Sequence, residues 1–116
     1  MSRAPINNYE RYHAHIYFDS DTSEIAKALC SEIDKYFDLP IGRFHERAVG
    51  PHPLWSCQVA FGKEDFDAFV PWLDEHRQNL TVLVHALTGD DLSDHTDHAY
   101  WLGEEVALRL HIFKKD

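Results

Sequence analysis

The sequence predicts an α+β domain with the ferredoxin-like β-α-β-β-α-β order: an antiparallel sheet, two helices on one of its faces, and an extra C-terminal strand. Two observations predict this class. Several short segments alternate apolar and polar residues, which is the period of a strand with one face in a core. Two longer segments repeat apolar residues every three or four positions, as helices do. The 116 residues suit one domain, so we assign 1–116 to a single domain with its core at about 12–113.

Each element follows from its own pattern. Asp19–Asp21 supplies helix-starting side chains, and apolar residues then recur at a spacing of four as far as Phe37. Pro71 falls inside the second helix, where it removes a hydrogen bond, so we expect a kink there or two short helices. The segment 88–103 is polar and rich in Asp, His and Gly, which predicts a loop. The predicted elements are, in order, a strand at 12–18, a helix at 22–38, strands at 43–48 and 54–61, a helix at 63–78, a strand at 80–86, that loop, and a strand at 106–113.

Charge and cysteine content exclude several classes of partner and location. Eleven basic and twenty acidic residues give a net charge of −9, which repels nucleic acid and anionic membrane surfaces. No apolar run approaches the ~20 residues of a membrane span, and the start of the chain has no apolar signal-peptide core. Cys30 and Cys57 are too few for a disulfide framework, so we expect a cytoplasmic location.

One face of the predicted sheet needs an explanation because the helices do not cover it. In the usual strand order the first strand is central, with the last of the four core strands beside it. His13, His15 and His85 then project from neighbouring strands onto the face without helices. We expect this face to be covered by a homodimer with its sheets facing each other, or by a lid from the 88–103 loop.

Nine histidines in 116 residues are the unusual feature of the composition. His13 and His15 lie on one strand face with Cα atoms ~6.6 Å apart, and two such rings can converge on one cation with metal–nitrogen distances of ~2.1 Å. The alternative is a pair of hydrogen-bonded histidines on a polar sheet face. His85 on the adjacent strand, and His52 in a turn stiffened by two prolines, favour a metal or acid–base site.

The remaining candidates are less specific. His45 can point to either face of its short strand, and Trp101 is either the wall of an aromatic pocket or ordinary core. His95 lies in the long loop, and loops of this length in a compact domain are more often functional than idle. We expect His98 to be a solvated loop residue and His76 to lie on the surface of a helix. We expect His111 to be structural or to lie at a subunit contact.

With these segments in place, the chain resembles the DOPA 4,5-dioxygenase family, small extradiol ring-cleaving proteins. The matching segments run in order over about 12–103, nearly the whole predicted domain, and only Ala86 departs from the proline expected after His85. The segments are His13–Phe18, Gly42–Glu46, Val49–Pro53, Gln58–Phe61, Pro71–Leu73, Leu80–His85, Thr88–Gly89, Asp94–His95 and Ala99–Gly103.

The resemblance implies a non-haem, metal-dependent extradiol dioxygenase that opens the ring of a catechol such as DOPA with O₂. Its implied cofactor is Fe(II), although another divalent metal such as Zn can occupy such a site in a purified sample. The implied partners are therefore a small aromatic substrate and O₂. A second hypothesis is a non-enzymatic, dimeric ferredoxin-like module that binds a small molecule or a metal, since fold alone does not fix function.

Within that implied enzyme we assign residues as follows. His15, His52 and His85 hold the metal, because His15 lies toward the middle of the sheet, the prolines fix His52, and the neighbouring strand places His85 opposite. The usual facial triad includes a carboxylate, for which Glu46 and Asp94 are candidates, and a three-histidine site is the other possibility. We assign the acid–base role to His13 and His95. We assign the binding of the substrate to His45, Arg47 and Trp101.

Overall fold

The computed structural model describes residues 9–48, 52, 54–96, 98–106, 108 and 110, and within these it forms one antiparallel sheet with helices packed on one face. The elements are β1 (Arg11–Phe18), α1 (Ser23–Phe37), β2 (Ile41–His45), β3 (Trp55–Gly62), α2 (Lys63–His76), β4 (Val82–Ala86), α3 (Asp91–Asp94) and β5 (Ala99–Leu102). The predicted β-α-β-β-α-β order is confirmed.

The strand order in the sheet is β2-β3-β1-β4-β5. β1 is therefore central and pairs antiparallel with both β3 and β4, as predicted. In the β1–β4 register His13 lies directly opposite His85, and His15 lies opposite Leu83. On the other side of β1, His15 lies opposite Gln58 of β3. This register brings histidines from two strands to the same place on one face.

The main core lies between the sheet and the two long helices. Each strand contributes alternate residues to it, such as Ala14 and Ile16 from β1 and Val84 from β4, all fully buried. Both helices present an apolar stripe to these strands, because residues three and four apart share one side of a helix. The buried helix residues are Ala26, Leu29, Cys30 and Ile33 of α1 and Phe66, Phe69, Val70 and Leu73 of α2.

The C-terminal part differs from the sequence prediction. The segment expected as a loop at 88–103 contains α3 and the edge strand β5. β5 escaped detection because its four residues are buried on both faces, so apolar and polar residues do not alternate. β5 is the extra strand of the fold. Within the predicted strand 106–113, Val106, Leu108 and Leu110 do not lie in a strand, and the other residues fall outside the described ones.

Two further boundaries are corrected. β2 runs over Ile41–His45 rather than 43–48, since Ile41 pairs with Val59 and packs against the core. α2 is one continuous helix with Pro71 inside it, so the alternative of two short helices is wrong. The buried side chains of α2 lie both before and after Pro71, so their packing stabilises the helix across the proline. In the part of the chain that the structure describes, no helix is both long and apolar enough to cross a membrane.

Candidate metal centre

Three polar side chains of β1 lie on the sheet face opposite the long helices. His13, His15 and Tyr17 alternate with the core residues of the same strand, which is a direct consequence of the two-residue period. His13 is half-buried, whereas His15 and Tyr17 are buried. The central strand therefore supplies two imidazoles and a phenol to one surface.

His85 of β4 joins this surface through the pairing of β1 with β4. Its Nδ1–H donates to the carbonyl oxygen of Ala86 over 2.9 Å, which leaves Nε2 as the unprotonated nitrogen of the neutral ring. That Nε2 lies 2.9 Å from Nε2 of His15, and the two rings are nearly parallel. Two ring nitrogens therefore face each other across the strands.

His52 reaches the same surface from a position ahead of β3 in the chain. It is buried, and its ring centroid lies 4.1 Å from that of His15. Its Nδ1 lies 2.6 Å from the hydroxyl oxygen of Tyr17. Since Nδ1 is engaged, Nε2 is the nitrogen of His52 that is left to bind a ligand.

His95 covers the face from the turn after α3. Its ring centroid lies 4.2 Å from that of His85 and 6.0 Å from that of His52. The preceding Asp94 is buried and accepts hydrogen bonds from both the backbone N–H and the hydroxyl of Thr88. His95 thus lies against the histidines of the two strands, whereas part of the segment expected as a lid forms β5 (Ala99–Leu102) within the sheet itself.

Two groups of three histidines among the described residues have ligand atoms within 4.8 Å of one another. They are His13, His15 and His85, and His15, His52 and His95. His15 belongs to both groups. The structure therefore gathers all three predicted metal ligands and the predicted acid–base pair, but it places His52 and His85 in different groups.

The donor set consists of imidazoles. Among the residues that the structure describes, neither group contains a carboxylate. Of the two candidates, Glu46 is exposed, and both carboxylate oxygens of Asp94 are taken up by Thr88. Between the two possibilities left open by the sequence, the geometry favours a site made of histidines.

The spacing of His15 and His85 fits a metal ion. Two ligands on bonds of ~2.1 Å lie ~3.0 Å apart when they meet at about 90°, and ~3.4 Å apart at the tetrahedral angle. The observed 2.9 Å between the two Nε2 atoms is close to these values, and without an ion it is the length of a hydrogen bond between the two rings. Neutral imidazole suits iron as well as zinc.

The electrostatics keep these rings in the form that binds metal. Burial lowers the pKa of His85 to about 3 and the pKa of His52 to about 4. Burial, followed by repulsion from the neighbouring histidines, lowers the pKa of His15 well below its ordinary value. Burial and His95 also lower the pKa of His13. These four rings are thus neutral at pH 7, which is the form of imidazole that binds a metal.

The predicted substrate-binding residues surround the cluster unevenly. His45, half-buried at the end of β2, is close enough to His52 for its charge to lower the pKa of that ring. The ring centroid of Trp101 lies 6.1 Å from that of Tyr17, so Trp101 packs on the histidine face rather than in the main core. Arg47 is exposed beyond the end of β2, and no described contact joins it to the cluster.

The other histidines have separate environments. His76 is exposed on α2, as predicted, and stacks on Trp72. The prediction that His98 is a solvated loop residue is wrong: it is half-buried, and its Nδ1 lies 3.0 Å from the hydroxyl oxygen of Tyr9. The aromatic ring of Tyr9 excludes water from one side of it. His111 lies outside the described residues.

Tyr17 is the site residue that sequence reasoning missed. The alternation of β1 places it on the histidine face, but only the tertiary structure brings it against His52. It also belongs to a second, smaller apolar cluster with Leu83, Ala99 and Trp101. Burial raises its pKa above the ordinary value, so it remains a neutral phenol. The alternation of β1 was therefore a sequence signal from which Tyr17 could have been included among the site residues.

The fold and the site define an α+β domain whose sheet carries, on the face opposite its long helices, a histidine cluster that could hold a metal ion. The Dopa 4,5-dioxygenase family model matches residues 12–112, and the chain belongs to this family. A solved structure from Nostoc punctiforme, provisionally named a dioxygenase, is similar with a TM-score of 0.87 and 37% sequence identity, over 94% of this chain and 95% of that one.

Two curated proteins are also similar. An uncharacterized 21.2 kDa protein of Botryotinia fuckeliana is 36% identical over 90% of this chain and 63% of its own length. A protein of Amanita muscaria named DOPA 4,5-dioxygenase is 29% identical over 87% of this chain and 48% of its own length. The chain therefore spans between about half and two thirds of the length of these relatives.

Proposed function

We propose that the chain is a non-haem, metal-dependent extradiol dioxygenase that opens the ring of a catechol such as DOPA with O₂. The observation that carries this proposal is the pair of facing Nε2 atoms of His15 and His85, 2.9 Å apart, in a member of the Dopa 4,5-dioxygenase family. The names of the Nostoc and Amanita proteins support the same class of reaction.

The residues that would hold the metal are His15 with His85 and His52, which leaves His13 free for proton transfer. The metal we propose is Fe(II), which when bound supplies the electron transfer between a catechol and O₂ that an organic side chain lacks. His85 is held in the correct tautomer by Ala86, and His52 is oriented by Tyr17. These outer partners fix the ring directions before any ion arrives.

We assign the proton transfers to the two histidines at the rim of the cluster. His13 is half-buried and neutral, so its imidazole is able to accept the proton of a catechol hydroxyl. His95 sits on the covering turn against His85 and would return a proton to the opened product. Trp101 and His45 would contact the aromatic substrate, and Arg47 would offset its negative charge in a chain of net charge −9.

Anaerobic reconstitution tests this proposal. The metal-free chain is loaded with Fe(II) without oxygen, and a catechol and then air are added. An extradiol dioxygenase produces a yellow ring-opened compound and consumes one O₂ for each ring opened. A chain that binds Fe(II) tightly but consumes no O₂ with a panel of catechols would contradict the enzyme function.

A second function is favoured by the burial of the ligands. Relative exposures of 6% for His15, 6% for His52 and 2% for His85 resemble a closed structural metal site, which keeps no open position. A dimeric metal- or small-molecule-binding module would show a rise in melting temperature on adding Zn or Fe(II), and no oxygen uptake. The reconstitution experiment therefore separates the two functions.

We also propose that the chain forms a homodimer. The sheet face opposite the long helices is only partly covered by residues of the same chain, and a second copy would cover the rest. Light scattering after size-exclusion chromatography measures this directly. A mass near 27 kDa, twice the 13.5 kDa of one chain, supports it, and a mass near 13.5 kDa contradicts it.

A further inference from the structure

The two cysteines of the chain meet in the main core, on the helix side of the sheet and away from the histidines. Cys30 of α1 and Cys57 of β3 are both free and buried, and their sulfur atoms are 3.4 Å apart. A disulfide needs ~2.05 Å, so the sulfurs must approach by only about 1.3 Å. The sequence has no third cysteine that could compete for either thiol.

Cys30 is reachable by a small molecule. Cys30 as a whole residue is 8% exposed and lines a cavity of about 530 Å³ together with Asp34, Asp38 and Ile41. Asp34 and Asp38 are exposed, so the cavity opens to solvent and carries negative charge at its mouth. Such an entrance repels anionic oxidants such as oxidised glutathione and admits a neutral one of the size of water.

The hydrogen bond between the thiols prepares them for oxidation. The S–H of Cys30 donates to the sulfur of Cys57, and this bond lowers the pKa of Cys57 while it raises that of Cys30. Once the pair has lost one proton, the charge therefore lies on Cys57. Cys57 is then placed to take the remaining proton from Cys30.

We propose that Cys30 and Cys57 form a site of reversible oxidation, at which hydrogen peroxide links α1 to β3 by a disulfide. The sulfur of Cys30 attacks one peroxide oxygen while its proton passes to the Cys57 thiolate, the O–O bond breaks, and the released hydroxide takes up from solvent the proton that the pair had lost, giving the first water. The sulfur of Cys57 then attacks the sulfenic acid of Cys30, the S–O bond breaks as the S–S bond forms, and the proton of Cys57 passes to the leaving hydroxide, giving the second water. In sum, two thiols and one peroxide give one disulfide and two waters.

The link would constrain a segment that matters to the histidine face. Residues 31–56 lie between the two cysteines and include β2 with His45, and also His52. Closing a loop of this size restricts the unfolded chain, so the oxidised protein should melt roughly 10 °C higher than the reduced one. The proposal does not depend on any metal or on the dioxygenase function.

Mass spectrometry of the full chain tests the site. The reduced, folded protein is treated with a small excess of hydrogen peroxide, then unfolded and alkylated with N-ethylmaleimide. We expect a monomer about 2 Da lighter with no alkyl group added, and full return to two alkyl groups after dithiothreitol. The same samples are melted to compare their melting temperatures.

Single variants supply the controls. Cys30→Ala and Cys57→Ala each leave one thiol, so neither forms the monomeric disulfide nor shows the rise in melting temperature; circular dichroism confirms that each is folded. Retention of two alkylatable thiols in the treated wild type, a disulfide only between chains, or sulfinic acids without a disulfide would each overturn the proposal.

Discussion

The hydroxyl oxygen of Tyr17 and Nδ1 of His52 lie 2.6 Å apart although 35 residues separate them in the chain. One member is on the central strand and the other precedes β3 in the chain, so this hydrogen bond ties His52 to the sheet. When the Nδ1–H of His52 donates to Tyr17, Nε2 carries the lone pair that a metal requires.

Tyr17→Phe should therefore weaken metal binding while keeping the fold. The phenyl ring retains the packing against Trp101, and only the hydroxyl that orients His52 is lost. We expect the metal affinity to fall tenfold or somewhat more, the usual effect of removing such an outer partner. Competition with a metal indicator measures it. Tyr36→Phe, an exposed change on α1, is the matched control, and equal affinities of the two variants would show that Tyr17 does not position a ligand.

Metal content separates the histidine cluster from the other histidines. His15→Ala should remove nearly all bound metal, because His15 belongs to both groups of ligand atoms, and His52→Ala and His85→Ala should each remove most of it. His76→Ala, on the exposed side of α2, should remove none. Atomic absorption per folded chain is the measurement. Full metal content in the His52 variant together with loss in the His76 variant would show that the assignment of ligands is wrong.

Asp94 should prove to be a structural residue rather than a ligand. Asp94→Ala removes the acceptor for the Thr88 backbone N–H and hydroxyl, and the partly solvated contact should cost about 1 kcal/mol of unfolding free energy. Urea unfolding measures this loss. Metal content should stay at the wild-type level, since the carboxylate is in neither ligand group. A variant of normal stability that has lost its metal would indicate a carboxylate ligand instead.

The metal-free protein should lose stability in acid. The pKa of His52 is about 4 and that of His85 about 3 in the folded chain, against about 6.5 when unfolded. Between those values the unfolded chain binds more protons, so stability is highest above pH 6.5 and falls as pH drops toward 3, by at most about 1.4 kcal/mol per pH unit for each histidine. Urea unfolding from pH 7 to 4 measures the slope. His85→Gln should flatten it, and an unchanged slope in that variant would contradict the lowered pKa of His85.

Metal binding should depend on the protonation of the same histidines. A proton and a metal compete for each Nε2, and the pKa values of His52 and His85 are about 4 and about 3 in the folded chain. The apparent affinity should therefore be steady from pH 7.5 to about 5.5 and should decrease only as pH falls toward 4. Titrations with Co(II), a spectroscopic substitute for Fe(II), at pH 7.5, 5.5 and 4 measure the change. A tenfold loss of affinity between pH 7.5 and 5.5 would contradict the lowered pKa values.

The sequence by itself determined the order of the first six elements and the face on which each strand residue lies. Strand and helix periods are local properties of the chain, so the alternation in β1 was enough to separate His13 and His15 from the core residues Ala14 and Ile16. The usual strand order then placed His85 beside them, and the register confirms it.

Only the tertiary structure decided how these residues combine. The contacts of His52 with Tyr17, of His95 with His85 and of Cys30 with Cys57 each join segments that are far apart in the chain, and no periodicity encodes such distances. β5 was missed for a related reason, because a strand buried on both faces has no alternation to reveal it. Local pattern fixes the direction of a side chain along its own strand or helix, whereas its partner is chosen by the packing of the whole sheet.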